Sequence, residues 1–312
     1  MPPVGRLAPS PTGLLHLGHA RTFLLAYWQI RARGGTLLLR MEDLDGPRCE
    51  ARFADAAVRD LAWLGLDWDG PVWLQSQGLP QLNAAVTALL ESGRAYPCVC
   101  SRGDILRAQS APHAAEPRYP GTCRGRFRSF AEAEAETGRA AGVRLLVPDG
   151  EIRIFDGVSG ESTWNVARDV GDFLIAKRDK APAYQLAVVV DDAAQGITDV
   201  LRGDDLLPSA ARQWHVQAAL GLPHPNWFHV PLVTDESGRR FAKREADLAL
   251  SELRAGGTDP RAIVAWAARS AGIPTDDRPS AREVTPLFDL ARLPRAPLVL
   301  AASTIAELRA AR

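Results

Sequence analysis

The stretch that most constrains this chain runs from Arg6 to Arg21, Arg-Leu-Ala-Pro-Ser-Pro-Thr-Gly-Leu-Leu-His-Leu-Gly-His-Ala-Arg. An apolar lead-in at Val4 precedes a turn set by Pro9, Pro11 and Gly13, after which Leu17, Ala20, Leu24 and Tyr27 recur at helical spacing. The pattern predicts a strand, a tight loop and the start of a helix. Unpaired backbone N–H groups in a helix's first turn carry partial positive charge, so an anion settles there, and Gly13 and Gly18 let it come close. A phosphate suits such a corner. His16 and His19 flank it, and two readings stand: imidazole donors that stabilise charge developing on a phosphate, or histidines that cap or pack an ordinary strand-to-helix turn.

A chain of 312 residues with 46% hydrophobic content has room for one large or two modest domains with a real core. No apolar run reaches membrane-spanning length and Met1-Pro2-Pro3 opens no signal peptide, so a soluble, cytoplasmic protein without a membrane partner is expected; a monomer is expected too, though nothing in these segments dictates it. Lys plus Arg and Asp plus Glu both number 37, which removes any global basic field for holding nucleic acid. An RNA contact must then use a local patch. Four cysteines at uneven spacing do not make a disulfide scaffold; they point to a metal or to buried thiols.

After Gly34-Gly35, Thr36 to Met41 reads as a buried strand whose end carries Glu42, Asp43 and Asp45. In a doubly wound parallel sheet the carboxyl ends of strands line the ligand crevice, so these groups suit an ammonium; a solvated acidic turn before Pro47 is the alternative. Residues 50–64 and 79–92 read as amphipathic helices, and Trp63, Trp68 and Trp73 between or beside them are expected to pack rather than stack on bases. Cys98-Val99-Cys100 and Cys123 suit a structural zinc; His113, Cys49 and the less usual Tyr119 are candidates for a fourth ligand, and reduced packing cysteines are the alternative.

Residues 131–136 read as a solvated helix face, and Val143 to Phe155 as a hairpin around Pro148-Asp149-Gly150. A metal-clipped loop followed by a hairpin does not continue a parallel sheet. Residues 94–180 therefore look like an insertion between two halves of a nucleotide-binding fold, 1–93 and 181–234. Ile197 to Asp205 reads as a strand ending in charge, with Arg202 able to grip a carboxylate at two points or to pair with Asp204 or Asp205. A helix is expected over 206–220. The cations Arg239, Arg240, Lys243 and Arg244 follow Gly238 on a loop that alone would pass for a solvated turn, and 245–312 reads as helices.

His16-Leu17-Gly18-His19, preceded by Ala8-Pro9-Ser10-Pro11-Thr12-Gly13, resembles the HIGH motif of class I aminoacyl-tRNA synthetases in the form used by the glutamyl group. Arg40-Met41-Glu42-Asp43-Leu44-Asp45 is similar to that group's R-x-E-D-x-D, and Arg202-Gly203-Asp204-Asp205 to its R-G-[DE]-D. The resemblance implies a split Rossmann-type α/β catalytic domain with a zinc-containing insertion that receives a tRNA end, then a KMSKS-like loop and helical stem over 235–312. It implies Arg6, Ala8, Ser10, Glu42, Tyr184 and Arg202 as the L-glutamate site, with Glu42 on the α-amino group. A guanidinium there rejects glutamine, whose neutral amide leaves the cation unpaired.

It further implies Pro9, Gly13, His16, Gly18, His19, Arg240 and Lys243 as the ATP site, with Mg²⁺ accompanying ATP and His16, His19 and Lys243 catalytic. Arg240-Phe241-Ala242-Lys243-Arg244 matches KMSKS loosely, with Arg for the first Lys and Ala for Ser, but Lys243 keeps the place that stabilises leaving pyrophosphate. The C-x-C with Y-x-x-x-C is similar to the short glutamyl-queuosine tRNA(Asp) synthetases, which implies one structural Zn²⁺ on Cys98, Cys100, Tyr119 and Cys123. Arg124-Gly125 stands where zinc-binding full-length glutamyl-tRNA synthetases carry Cys-x-His.

The implied activity is formation of glutamyl-adenylate and transfer of glutamate to the queuosine base in the anticodon of tRNA(Asp). At this length no anticodon-binding domain is expected after the stem, which fits that reading. The rivals are a short glutamyl-tRNA synthetase charging a tRNA 3′ end, which the zinc pattern opposes, and a nucleotidylyltransferase, which has no use for a glutamate pocket. A catalytically silent tRNA-binding module is opposed by His16, His19 and Lys243.

Overall fold

The computed structural model describes residues 1–107, 118–239, 249–275 and 278–312. The predicted strand, loop and helix at the start are β1 (Val4–Leu7) and α1 (Leu17–Arg31). Gly34, at φ +63°, turns the chain after α1, and β2 (Thr36–Met41) returns parallel to β1 with Val4 opposite Thr36 and Leu7 opposite Leu39. The crossover buries Leu24, Leu25, Trp28 and Ile30 with Leu37 and Leu39, which is why β2 reads as a continuous apolar run. α2 (Ala51–Trp63) and α3 (Leu79–Glu91) are the two expected amphipathic helices, and β3 (Trp73–Leu74) between them pairs parallel with β2. Trp63 and Trp68 pack against the core, as expected.

The next segment holds β4 (Ala95–Cys98), α4 (Arg102–Arg107), α5 (Phe130–Thr137), β5 (Gly142–Leu145), β6 (Ile152–Asp156), β7 (Gly160–Trp164), α6 (Val166–Asp169) and β8 (Leu174–Ala176). α5 exposes Glu132, Glu134 and Glu136, so its solvated face is as read. The hairpin expected around Pro148-Asp149-Gly150 is corrected: β5 lies antiparallel between β4 and β8, and β6 pairs instead with β7. Two physical reasons account for this. Every residue of β5 is buried, so it takes partners on both edges, whereas β6 alternates buried and exposed as a hairpin arm does. The turn that closes the hairpin is stabilised by Asp156, whose Oδ1 accepts from the N–H groups of Val158 (2.9 Å) and Ser159 (2.8 Å).

α7 (Tyr184–Ala194), β9 (Asp199–Gly203), α8 (Leu207–Leu220) and β10 (Asn226–Val230) complete the sheet. β9 lies beside β1, with the Thr198 N–H donating to Val4 O (2.9 Å) and the Val4 N–H to Thr198 Oγ1 (2.9 Å). β10 runs parallel to β9 from Asn226 opposite Asp199 to Val230 opposite Gly203, and β6 meets the far side of β10 at the Trp227–Asp156 pair. Strands thus spread both ways from the β1–β9 seam, the doubly wound arrangement whose crevice opens at the carboxyl ends of those strands.

The C-terminal region contains β11 (Val233–Thr234), α9 (Leu250–Ala255), α10 (Pro260–Ser270), α11 (Ala281–Val284), β12 (Leu298–Val299) and α12 (Ala302–Ala310). The all-helical expectation is corrected by β12, which pairs parallel with β11. Pro294 and Pro297 hold the chain extended there. α10 joins the first core through Ile263, Val264 and Trp266, and the buried Arg21 of α1 donates to Pro231 O (2.7 Å) and Ser270 Oγ (2.8 Å). Among the described residues, no helix is long and apolar enough to cross a membrane.

The α1–β2 corner leaves no room for a side chain at Gly35, where a Cβ would sit 2.4 Å from Pro3 O. That carbonyl cannot move aside because it accepts the Thr36 N–H (2.9 Å) that starts the β1–β2 ladder. Gly35→Ala is expected to cost about 2 kcal/mol or more, read as a lower denaturant midpoint at unchanged slope.

Candidate active site

The loop from β1 to α1 is moored to the end of β2, where the Glu42 N–H donates to Pro9 O (3.0 Å), and to the start of α2, where the Glu50 N–H donates to Pro11 O (3.1 Å). It delivers His16 to the N-cap of α1. His16 Nδ1 accepts the Gly18 N–H (3.1 Å), His19 Nδ1 accepts the His16 N–H (3.2 Å), and the two rings stack at 3.7 Å. The capping reading of the histidines is therefore what the backbone displays, in the reciprocal form of a capping box. It does not displace the phosphate reading. An imidazole accepting at Nδ1 keeps its hydrogen at Nε2, so both rings retain a donor at the helix end. Gly18 is tight against this pair, since a Cβ there would lie 3.0 Å from the His16 ring. Pro9, Gly13 and Gly18 belong to the same corner. Arg240 and Lys243 lie outside the described residues, but Ala249, just beyond them, pairs with His16, and the Leu250 N–H donates to Leu15 O (2.8 Å).

Beside this corner a pocket of about 380 Å³ is lined by Ser10, Glu42, Gln75, Lys177 and Tyr184 among others. Ser10 Oγ donates to Glu42 Oε2 (3.5 Å). The other two acids of the cluster do different work: Asp43 accepts from the N–H and hydroxyl of Ser76 (2.7 and 2.6 Å), and Asp45 pairs with Lys177 (3.3 Å) and Arg48. Beneath the pocket the charges are buried and interleaved. Arg40, with no exposed surface, pairs with Asp192 (2.7 Å) and Glu42 (3.4 Å) and donates to Gln195 Oε1 (2.8 Å). Arg6 pairs with Asp192 (3.4 Å) and donates to Leu201 O (3.4 Å), while Asp191 accepts from Gln75 (2.7 Å). Ala8 is half-buried between Arg6 and the Pro9 turn.

Burial raises the pKa of Glu42, with Arg40 and Arg6 opposing it. Tyr184 is 38% exposed at the pocket wall, and burial of its polar end raises the phenol's pKa against the pull of Arg202. Arg202 is 5% exposed. It donates from Nε to His229 Nε2 (3.0 Å) and from Nη2 to Leu206 O (3.3 Å), its plane lies over Trp227 (4.7 Å), and Nη1 has no hydrogen-bond partner. The structure thus gathers Arg6, Ser10, Glu42, Tyr184 and Arg202 at one crevice.

The three thiols expected to meet do so. Cys98, Cys100 and Cys123 Sγ all lie within 4.8 Å of one another, with Cys100 to Cys123 at 3.5 Å. Tyr119 Oη sits 3.4 Å from Cys98 Sγ and 4.0 Å from Cys100 Sγ and accepts the Cys123 N–H (2.8 Å). A tetrahedral shell with Zn–S bonds of ~2.3 Å sets neighbouring sulfurs about 3.8 Å apart, so this donor set fits a metal of that kind. Arg144 lies against it, donating to Cys98 Sγ (3.2 Å) and covering the Tyr119 ring (3.8 Å). A hydrogen bond from Cys98 pulls the Cys123 thiol down to about 6, the reciprocal bond pushes Cys98 up, and burial raises Tyr119. Of the other fourth-ligand candidates, Cys49 lies against Glu42 O (4.0 Å) instead, and His113 is outside the described residues.

Sequence reasoning passed over Arg40, Gln75, Asp191, Asp192, Asp156 and His229 as site residues. The signal for two of them was present, since adjacent Asp191 and Asp192 directly follow the apolar run Val188-Val189-Val190 on a helix and so must be buried or break it. Burial lifts the Asp191 carboxyl to about 6, above the ordinary 3.8. A raised acid pKa means that the native state binds the proton more tightly than the unfolded chain, so this group's contribution is whole below about pH 4 and fades as pH rises through 6. Asp191→Asn is expected to remove that fall, so the stability difference between variant and wild type shifts in the variant's favour by at most about 3 kcal/mol from pH 4 to 7 in denaturant melts.

The family model of class I tRNA synthetases (E and Q), catalytic domain, matches residues 4–295. The chain is 44% identical to a glutamyl-Q tRNA(Asp) synthetase of Rhodopirellula baltica over 95% of this chain and 96% of that protein. It is 42% identical to one of Symbiobacterium thermophilum, over 97% of this chain and 98% of the relative. Its fold is similar to the crystal structure of a glutamate tRNA ligase from Elizabethkingia meningosepticum in complex with its amino acid, with a TM-score of 0.83 and 25% identity over 99% of this chain and 69% of that one. With its crevice built on the motifs of that group and its length matched almost end to end, the chain belongs to the class I glutamyl and glutaminyl tRNA synthetase family and, within it, to the glutamyl-Q tRNA(Asp) synthetases.

Proposed function

We propose that the chain activates L-glutamate with ATP and Mg²⁺ and transfers it to the queuosine base in the anticodon of tRNA(Asp). The observation that carries this reading is the adjacency of a capped helix N-terminus and a pocket lined by Ser10, Glu42 and Tyr184, with the buried guanidinium groups of Arg6 and Arg202 close enough to act electrostatically on those walls. A dipolar amino acid with a second carboxylate matches that charge pattern. Glu42 takes the α-ammonium, Ser10 and the Ala8 backbone border it, and Tyr184 with Arg6 and Arg202 holds the carboxylates. The α-carboxylate then attacks the α-phosphorus of ATP and the bond to the bridging oxygen breaks, releasing pyrophosphate. Pro9, Gly13 and Gly18 let the phosphates approach the helix end, where His16 and His19 donate to them, and Arg240 and Lys243 neutralise the leaving group. Positioning and charge stabilisation carry the step, with no covalent intermediate on the protein.

Supporting features complete the reading. Residues 1–93 and 181–234 form the catalytic domain, 94–180 the insertion, and 235–312 the loop and helical stem, in a cytoplasmic monomer without a membrane partner. Cys98, Cys100, Tyr119 and Cys123 hold one structural Zn²⁺, which clips the insertion and replaces the protons the thiols share. Metal analysis of the purified protein is expected to return about one zinc per chain, and a chelator should strip it faster from Tyr119→Phe. Absence of zinc from the wild type sinks the metal site, and retention identical to wild type in Tyr119→Phe removes the tyrosine from it.

The activity is tested by transferring radiolabelled glutamate, with ATP, to tRNA from wild-type bacteria and from cells that cannot make queuosine. Label confined to the queuosine-containing pool is the expected result. Label on both pools at a 3′ terminus would make the chain a truncated aminoacylating enzyme. Loss of glutamate-dependent pyrophosphate exchange altogether would overturn the activation chemistry as well.

A further inference from the structure

Arg202 is held in place by groups from two other strands, His229 of β10 directly and Asp156 of β6 through it. β6, β10 and β9 lie side by side, with His229 opposite Arg202 and Trp227 opposite Asp156. Across them runs a buried chain: Asp156 Oδ2 to His229 Nδ1 at 2.6 Å, then His229 Nε2 to Arg202 Nε at 3.0 Å. Arg202 is always a donor, so His229 Nε2 must accept, and its single hydrogen must sit on Nδ1. Asp156 imposes that tautomer. Its carboxylate accepts the His229 N–H through both oxygens (3.1 Å each) and the Val158 and Ser159 N–H groups. Burial opposes ionisation of Asp156, yet these bonds outweigh it and keep its pKa below the ordinary value; burial likewise keeps His229 from charging. The arrangement uses up Nε and Nη2 and leaves Nη1 as the one guanidinium nitrogen without a hydrogen bond.

We propose that Asp156 and His229 are a positioning pair that presets Arg202 for the side-chain carboxylate of the substrate. The inference rests on the reading of Arg202 as a glutamate contact. It also links the hairpin of β6 and β7 to amino-acid selection.

Glutamate-dependent exchange of pyrophosphate into ATP, measured in the presence of queuosine-containing tRNA, tests the pair through the split between KM and kcat. In Asp156→Asn the amide donates to Nδ1, the imidazole hydrogen moves to Nε2, and two donors face each other at Arg202. The KM for glutamate is expected to rise about ten-fold or more, with the KM for ATP unchanged and discrimination against glutamine reduced. His229→Leu should behave likewise, and His229→Gln, whose amide oxygen accepts where Nε2 did, should recover most of the affinity. A glutamate KM within about two-fold of wild type in both Asp156→Asn and His229→Leu, or a His229→Gln as impaired as His229→Leu, overturns the proposal. Arg202→Ala separates the two levels: if it too leaves the glutamate KM unmoved, the glutamate contact itself falls, whereas a large rise in Arg202→Ala beside unchanged pair variants overturns the pair alone.

Discussion

The two halves of this fold close on a buried set of charges. Arg40, at the end of β2, has lost all contact with solvent and is compensated by Asp192 and Gln195 on and after α7 and by Glu42 two residues on. A bare guanidinium in such a place costs several kcal/mol of desolvation, and removing one partner of a buried pair typically costs about 3–5 kcal/mol. Strand β1 adds Arg6 to the same acid. The halves therefore cannot come together in a wrong register without stranding charge. Glu42 belongs both to this set and to the pocket wall, so the electrostatic field there is in place before any ligand arrives.

How much of this could be read from the chain depended on range. The β1–α1 corner was legible because its signals are local: prolines and glycines where the backbone turns, and apolar residues at helical spacing directly after. Glu42 and Arg202 were legible as groups at strand ends in a doubly wound sheet, and the motif resemblance supplied a role for each. What was not legible is pairing over distance. Arg40 and Gln195 are 155 residues apart, and Asp156 and His229 are 73, so nothing local announces either contact. The hairpin was misread for the same reason. Pro148-Asp149-Gly150 is a sound turn signal, but β5 satisfies its backbone with β4 and β8, which lie far along the chain on either side. β12 was missed because a two-residue strand carries no periodicity to read and its partner, β11, lies far back in the chain.

The thiol cluster is built by the same logic at smaller scale. Arg144 covers Tyr119 and touches Cys98, and its Nη1 donates to Asp172 O (2.7 Å). The Asp172 carboxylate binds Tyr96 Oη (2.5 Å) and Arg124 (2.8 and 2.5 Å). The loop carrying Tyr119 and Cys123 is thereby fastened to β4, β5 and the start of β8 by polar contacts around an apolar patch that includes Val99, Phe127 and Ala141.

The capping box at the start of α1 has a consequence for how this corner uses protons. Each imidazole spends its Nδ1 lone pair on a backbone N–H, so neither can take up a second proton without surrendering the cap. The two rings are thus oriented by the helix they begin. The corner thereby presents oriented N–H groups and the helix end as a fixed dipole, which is what the proposed phosphate site draws on.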